Sequence, residues 1–299
     1  MLRITDVLKT GKILISDGAW GTFLYQKGLK QGDCPDEWSL THPADVEDVA
    51  RSYIEAGADM IETNSFGASR QKLGFYGLGD RAADINEAAA RLSRKAAGDK
   101  FVIASMGPSG ELLMMGNVSA DELYDSFREQ AVALEKGGAN AACIETMSDA
   151  DEAVLAIRAV KEHTALEVIA TFTFNKTEQN EYRTMMGLSP VDAAQTALAA
   201  GADIIGANCG NGIENMTEIV HQLREAFPKA FILIHANAGL PVIDTHGNTT
   251  FPETPEIMAA HIPALLNAGV NIIGGCCGTT PEHIRAIRKA VQSYNRITV

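Results

Sequence analysis

The sequence has little cysteine, no long apolar run and a shortage of basic charge, and each shortage closes off a class of protein. Its five cysteines, Cys34, Cys143, Cys209, Cys276 and Cys277, are an odd number in 299 residues. A secreted scaffold held by disulfides is denser in cysteine and pairs them. The expected setting is therefore reducing and cytoplasmic, where clustered cysteines tend to be metal ligands or catalytic groups. No window approaches the roughly 20 consecutive apolar residues of a membrane helix, so no membrane partner is expected. The opening "MLRITDVLKTGKILISDGAWG" runs into a strand with no apolar leader core or small-residue cleavage site, so no signal peptide is expected. Lys and Arg number 25 against 38 Asp and Glu, a formal net charge of −13. The basic residues are scattered rather than striped, which argues against a nucleic acid partner. The acidity itself reads as solubility. Linkers, low-complexity runs and composition breaks are also missing, so one domain over residues 1–299 is expected.

What is present is an alternation of short apolar or β-branched runs with longer amphipathic ones. The strand candidates are 12–17, 58–63, 101–106, 141–146, 167–174, 203–208, 231–236 and 271–275. A helical pattern follows each, as in Val46, Val49, Ala50, Tyr53 and Ile54 after the first. Ser119 and Glu122 are spaced as a capping box. "SPVDAA", "TPEIMAA" and "TPEHIRA" each place Ser or Thr at an N-cap and Pro at the first helical position. Helices end at the glycines of "EAGAD", "EKGGAN", "AAGAD" and "NAGVN". Pro263 falls inside the seventh helix and is expected to kink or split it. Eight β–α units in a chain of this size close most simply into an α/β fold, a single (βα)8 TIM barrel.

In such a barrel the C-terminal ends of the strands line one mouth, where chemistry is done. That mouth would collect Asp17-Gly18-Ala19, Thr63-Asn64, Met106-Gly107-Pro108, Glu145-Thr146, Asn208-Cys209, Asn237 and Gly275-Cys276-Cys277. Cys209 ends the sixth strand, and Cys276 and Cys277 end the eighth; strands of like parity feed the same interior layer, so the three thiols can converge. In a continuing strand the adjacent pair would point to opposite faces. Gly274, Gly275 and Gly278 are expected to relax that by permitting unusual backbone angles. Three thiolates with an open fourth position make a catalytic zinc site. With Zn²⁺ the centre would carry a net charge of −1 and suit a substrate thiol held as thiolate, which points to thiol alkylation. On spacing alone, a vicinal redox disulfide and a pair of small core residues stay open. Cys143, inside the fourth strand, reads as core, and Cys34, in "QGDCPDE", as a bystander.

The chain resembles the homocysteine S-methyltransferase family, the zinc-dependent barrels that include the homocysteine-binding module of cobalamin-dependent methionine synthase and betaine–homocysteine methyltransferase. The resemblance is carried by "DGAWGT" (17–22), "YIEAGADMIETNSFGA" (53–68), "GPSG" (107–110), "IET" (144–146), "GANCG" (206–210), "NAGLP" (237–241) and "GGCCGTTPEHI" (274–284), in the family's order over nearly the whole chain. It implies zinc on Cys209, Cys276 and Cys277. It implies that Glu145 pairs with the substrate ammonium and that Asp17, Gly18 and Ala19 cradle the amino-acid end, with backbone N–H groups toward its carboxylate. Asn64 and Asn237 read as loop-bracing residues. The implied activity is methyl transfer to the homocysteine thiolate to give methionine, with a methylcorrinoid on a separate corrinoid protein as first-choice donor.

Other readings stay open. S-methylmethionine, S-adenosylmethionine or betaine could be the donor, and another thiol or selenol the acceptor. A zinc-holding module without catalysis and a phosphate-handling barrel are the competing classes. Two departures from the family stand out: Ala236 where proline commonly precedes "NAG", and the segment 174–190, which borders the mouth. Betaine-type C-terminal extension and the folate, cobalamin and reactivation modules of methionine synthase are not expected in this chain.

Overall fold

The computed structural model describes residues 3–243 and 249–297. Eight parallel strands form the sheet: β1 (Leu14–Ile15), β2 (Met60–Ile61), β3 (Phe101–Met106), β4 (Ala141–Met147), β5 (Glu167–Phe172), β6 (Ile204–Gly212), β7 (Phe231–Asn237) and β8 (Ile272–Gly275). Each is followed by a main helix: α1 (Pro43–Glu55), α2 (Ala82–Ala97), α3 (Ala120–Gly137), α4 (Ala150–His163), α5 (Pro190–Ala200), α6 (Ile213–Ala226), α7 (Pro255–Asn267) and α8 (Pro281–Ile297). The strands pair in the order of the chain, and β8 returns to β1 through Leu14↔Ile272 and Ile15↔Ile273. This is the expected TIM barrel.

The capping residues do what their chemistry suggests. Ser119 and Glu122 form the reciprocal capping box on α3, and Ser189 and Thr254 cap α5 and α7. The glycines of the four helix-to-strand turns, Gly57, Gly138, Gly201 and Gly269, all take positive φ. Two expectations are corrected. The N-terminus enters the barrel through a short helix, Ile4–Leu8, before the first strand. Pro263 does not split α7, which runs unbroken from Pro255 to Asn267.

Alternation along the strands sorts the interior. Leu14, Met60, Ile103, Cys143, Ile169, Ile204, Leu233 and Ile272 fill the lower barrel, and Ile4 and Leu8 of the first helix close its floor. Glu167, at the start of β5, holds that helix by accepting the Ile4 and Thr5 N–H groups at 2.5 and 3.1 Å and the Thr5 hydroxyl at 2.6 Å. Two residues further along the same strands the inward side chains become polar: Ser16, Glu62, Ser105, Glu145, Thr171 and His235, all buried. An apolar floor therefore supports a polar upper layer.

Among the described residues only the β1–β2 seam lacks a ladder; the two strands, each two residues long, pair with β8 and β3 instead. Asp59 bridges the seam. Its N–H donates to the Ile15 carbonyl at 2.7 Å, and its carboxylate accepts the Ile15 N–H at 3.1 Å. The same carboxylate takes Arg288 of α8 at 2.7 Å and Lys12 at 3.4 Å. Higher up, the Glu62 N–H donates to the Asp17 carboxylate at 2.8 Å. Replacing Asp59 by Ala would leave the buried Ile15 N–H without its carboxylate partner and release the Arg288 and Lys12 ion pairs. The expected cost is about 2–4 kcal/mol, read as a lower urea midpoint at unchanged slope. A midpoint equal to wild type would show that the closure does not depend on this carboxylate.

Candidate active site

A cavity of about 380 Å³ opens at the C-terminal ends of the strands. Its lining includes Gly18, Ala19, Glu62, Glu145, Cys209, His235, Cys276 and Cys277. Two bulges shape it. The β4–β5 register shifts between Ile144 and Met147, and the β6–β7 register shifts between Asn208 and Gly212. Bulges bend a strand and re-aim its side chains. Here they hold Thr146 and Cys209 at φ 60° and 57°, a left-handed conformation that side-chain-bearing residues adopt only when their surroundings enforce it.

Asn208 supplies much of that enforcement. Its side-chain carbonyl accepts the Thr146 N–H and the Thr171 hydroxyl, each at 2.7 Å. Its amide donates to the Thr146 hydroxyl at 2.7 Å and to Glu145 at 3.2 Å. One side chain thus locks the ends of β4, β5 and β6 in the arrangement that presents both Glu145 and Cys209.

The sulfurs of Cys209, Cys276 and Cys277 lie within 4.8 Å of one another. Thiol hydrogen bonds from Cys276 and then Cys277 pull the Cys209 thiol far below its ordinary range. Cys276 and Cys277 are pushed up, each first by its bond to Cys209. The Asn237 side chain is a further hydrogen-bond partner of Cys209. All five cysteines are free, so neither a vicinal nor any other disulfide is present. Cys143 is fully buried in the lower barrel, and Cys34 packs with Ala68, Leu73, Ala82 and Ile85 away from the triad.

The glycines around Cys276 and Cys277 serve two purposes rather than the single one expected. Only Gly278 has a positive φ, at 81°. Gly274 and Gly275 are needed for space: a Cβ at Gly274 would lie 2.8 Å from the Asp17 carbonyl, and one at Gly275 would lie 2.2 Å from the Thr279 hydroxyl.

Glu145 faces the cavity and is 5% exposed. The Ser105 hydroxyl and the Asn208 amide both donate to its carboxylate. Burial, and then the charge of Glu62, raise its carboxyl well above the usual range. Asp17 is placed differently. Its carboxylate accepts the Trp20 indole N–H and the Glu62 N–H, each at 2.8 Å, and the Ser16 hydroxyl at 3.1 Å. It is 1% exposed and lies behind the cavity wall, bracing the loop that carries Gly18 and Ala19. Within that loop the Ala19 N–H is already bonded to the Thr279 hydroxyl at 3.1 Å, and the Ala19 carbonyl accepts the Tyr53 hydroxyl at 2.7 Å. Asn64 braces the neighbouring loop through the Pro35 carbonyl at 2.8 Å.

The sequence reading omits Glu62, Ser105 and His235, and places Asn208 at the mouth without a role. Their signal is a polar residue inside an apolar strand at an inward-facing position, as in "MIE", "IAS" and "ILIH".

A family model described as homocysteine S-methyltransferase matches residues 14–291. Methionine synthase of Mycobacterium tuberculosis is 33% identical over 314 residues, and that of Mycobacterium leprae 32% over 315. These alignments cover 98% and 99% of this chain but only 26% of each relative, so the chain spans about a quarter of their length. Among solved structures, a homocysteine methyltransferase of Escherichia coli in its metallated form superposes with a TM-score of 0.78 at 24% identity, covering 95% of this chain and 98% of that one. Its oxidised form gives 0.77 at 24%, covering 96% and 98%. At that identity the superpositions speak for the fold. The family match over nearly the whole described chain, on a barrel whose mouth gathers three free thiols beside a buried glutamate, makes this chain a member of the homocysteine S-methyltransferase family.

Proposed function

We propose that this protein methylates the sulfur of homocysteine, using zinc held by Cys209, Cys276 and Cys277, with a methylcorrinoid carried by a separate protein as donor. The observation that carries the reading is the convergence of three thiols within 4.8 Å on a cavity that also exposes Glu145. Three soft sulfur donors suit zinc, and they leave a fourth position for a substrate sulfur. A zinc ion bound there would lower the substrate thiol from its ordinary pKa near ~8.5 and keep it as a nucleophilic thiolate.

The remaining residues bind and orient. Glu145, fixed by Ser105 and Asn208, is placed to take the substrate ammonium, a charge-assisted bond in a site shielded from water. The Gly18–Ala19 loop borders the same cavity and is held rigid from behind by Asp17, Tyr53 and Thr279. Holding both ends of a small amino acid makes attack on the donor methyl nearly unimolecular. Exposed apolar side chains on the loops around the mouth, of which Phe66 and Tyr76 line the cavity, are in keeping with a large donor. Phe66, Phe75, Tyr76, Met114, Met185 and Ile243 are exposed on the loops that follow the strands, an apolar fringe suited to a protein-borne group. The "NAGLP" segment, similar to the cobalamin-dependent branch, favours the same donor.

Replacing any one of the three cysteines by Ala should lower zinc affinity on the order of 100-fold or more, with parallel loss of methionine formation. Metal content by atomic emission and turnover by mass spectrometry would test this, and full activity in a zinc-free triple variant would falsify it. Glu145→Gln should weaken homocysteine binding by roughly 30-fold, about 2 kcal/mol, while zinc content stays at the wild-type level. An unchanged affinity would remove Glu145 from the ammonium site. Zinc-loaded protein with homocysteine should form methionine from methylcobalamin, free or protein-bound, faster than from S-methylmethionine, S-adenosylmethionine or betaine. Turnover with one of those three donors and none with methylcobalamin would reject the corrinoid.

A further inference from the structure

Among the described residues that line the cavity, Lys72 is the only lysine or arginine. Its ammonium lies over the Phe66 ring, 4.7 Å from the centroid, a cation–π contact. The ring is fixed in place. The Gly107 N–H donates to the Phe66 carbonyl at 3.0 Å, and a Cβ at Gly107 would lie 2.5 Å from the ring Cε2, so the glycine after β3 is what admits the ring. Two buried carboxyl groups feel the Lys72 charge. Asp36, which also lines the cavity, accepts the Gly67 N–H at 2.9 Å. Burial pushes its carboxyl up to about 6, and the Gly67 bond and then Lys72 oppose that rise. Glu152 accepts the Ser109 N–H at 2.7 Å and the Ser109 hydroxyl at 2.6 Å; burial raises it, and Lys72 again acts in the opposite direction. An aromatic face beside carboxylates is a site for a cation. Here the protein's own lysine occupies it.

We infer that Lys72 fills a cation site in the mouth and thereby turns away small methyl donors that carry positive charge, leaving the cavity to a donor without one. The inference rests on the proposal that a thiolate is methylated here. S-methylmethionine, S-adenosylmethionine and betaine each bear a fixed positive charge on the sulfur or nitrogen that releases the methyl group. A methylcorrinoid has no such sulfonium or ammonium. Without Lys72, the Phe66 face and the Asp36 carboxylate would be open to the charged donors. With it, that place is taken, and a second cation must approach a like charge in a poorly screened cavity.

The topology puts Lys72 where a donor would pass. Phe66 and Lys72 follow β2, which is four strands from β6 in the closed order and so lies across the mouth from Cys209. A substrate sulfur held at the thiols leaves the donor the space between them and the loops after β1 and β2. Pro35, Asp36, Phe66, Lys72 and Tyr76 line that side of the same cavity. A like charge placed there costs the uncharged donor nothing and the charged donors much, which is how a site discriminates by what it repels. The side chain is also free of structural duty in its helix. The cap of the short helix Arg70–Gly74 is made by the Lys72 backbone N–H, which donates to the Ser69 hydroxyl at 3.3 Å.

The test is calorimetric titration of zinc-loaded protein with tetramethylammonium, a cation that has no amino-acid end for Glu145 to hold. Lys72→Ala should bind it about tenfold more tightly than wild type does. Lys72→Arg, which keeps the charge, should bind it as weakly as wild type. Adding Phe66→Leu to Lys72→Ala should remove the gain, which ties it to the aromatic face. With homocysteine as acceptor, the ratio of kcat/KM for S-methylmethionine to that for methylcobalamin should also rise about tenfold in Lys72→Ala and stay at the wild-type value in Lys72→Arg. Equal tetramethylammonium affinity in wild type and Lys72→Ala would overturn the inference, as would a gain that survives Phe66→Leu. Methionine formed from methylcobalamin with an unmoved donor ratio would overturn the role of Lys72 alone. Methionine from none of the donors, in wild type and variants alike, would overturn the methyl-transfer reading and the donor selection that rests on it.

Discussion

The mouth of this barrel depends on how its seam is closed. β1 and β2 each pair with their other neighbour but not with each other, and two carboxylates bridge the gap between them. Asp59 ties the lower seam, and Asp17 ties the upper seam by accepting the Glu62 N–H. This commits Asp17 to the wall behind the cavity and fixes where Glu62 begins. It also anchors the Gly18–Ala19 loop, because the Asp17 carbonyl accepts the Gly275 N–H at 2.8 Å, one residue before the cysteine pair. The loops after the first and last strands are therefore one unit. Thr279 completes it by donating to the Cys276 carbonyl at 2.8 Å while accepting the Ala19 N–H.

The polar layer this closure supports would be costly in isolation. Three carboxyl groups, an imidazole and three thiols sit above an apolar floor, where unpaired polar groups are destabilising. Two of the acids are offset by fixed donors: Ser105 and Asn208 on Glu145, and Trp20, Ser16 and a backbone N–H on Asp17. The strained backbone at Thr146 and Cys209 belongs to the same economy of placement. Asn208 holds Thr146 by its N–H and its hydroxyl, and the adjacent bulge then has no freedom to turn the Cys209 thiol away from Cys276 and Cys277.

The eight-strand alternation and the thiol triad were legible in the sequence because each rests on local information. Apolar runs, cap residues and turn glycines mark the elements, and three thiols at the ends of like-parity strands can meet if the barrel closes. The orientation of the acids was not legible. Asp17 and Glu62 both lie at or near a strand end, and which of them faces the cavity depends on whether β1 and β2 share a ladder, a property of two segments 45 residues apart. Nor could spacing separate the glycines that supply a left-handed turn, such as Gly278, from those that merely leave room, such as Gly274 and Gly275. The segment 174–190 gave no strand signal, yet it forms a small hairpin, Asn175–Lys176 with Tyr182–Arg183, beside the Cys209 bulge. A Cβ at Gly210 would lie 2.7 Å from the Phe174 carbonyl at the base of that hairpin, so hairpin and bulge are fitted to each other by close approach rather than by pattern.

Electrostatics then gives the mouth its preference. The acids raise one another: Glu62 is pushed well up by burial and then by Asp17, and Glu145 by burial and then by Glu62. The chain around them carries a formal charge of −13 and offers no remote excess of cations to offset it. A cavity built this way resists further anions and rewards cations. Under the proposed function, a metal dication on the thiols and an ammonium group against Glu145 would both lower the energy of the ionised acids, so each would make the other easier to bind. Coupling of that kind is reciprocal by linkage, and it follows from sharing one poorly screened cavity rather than from any movement of the fold.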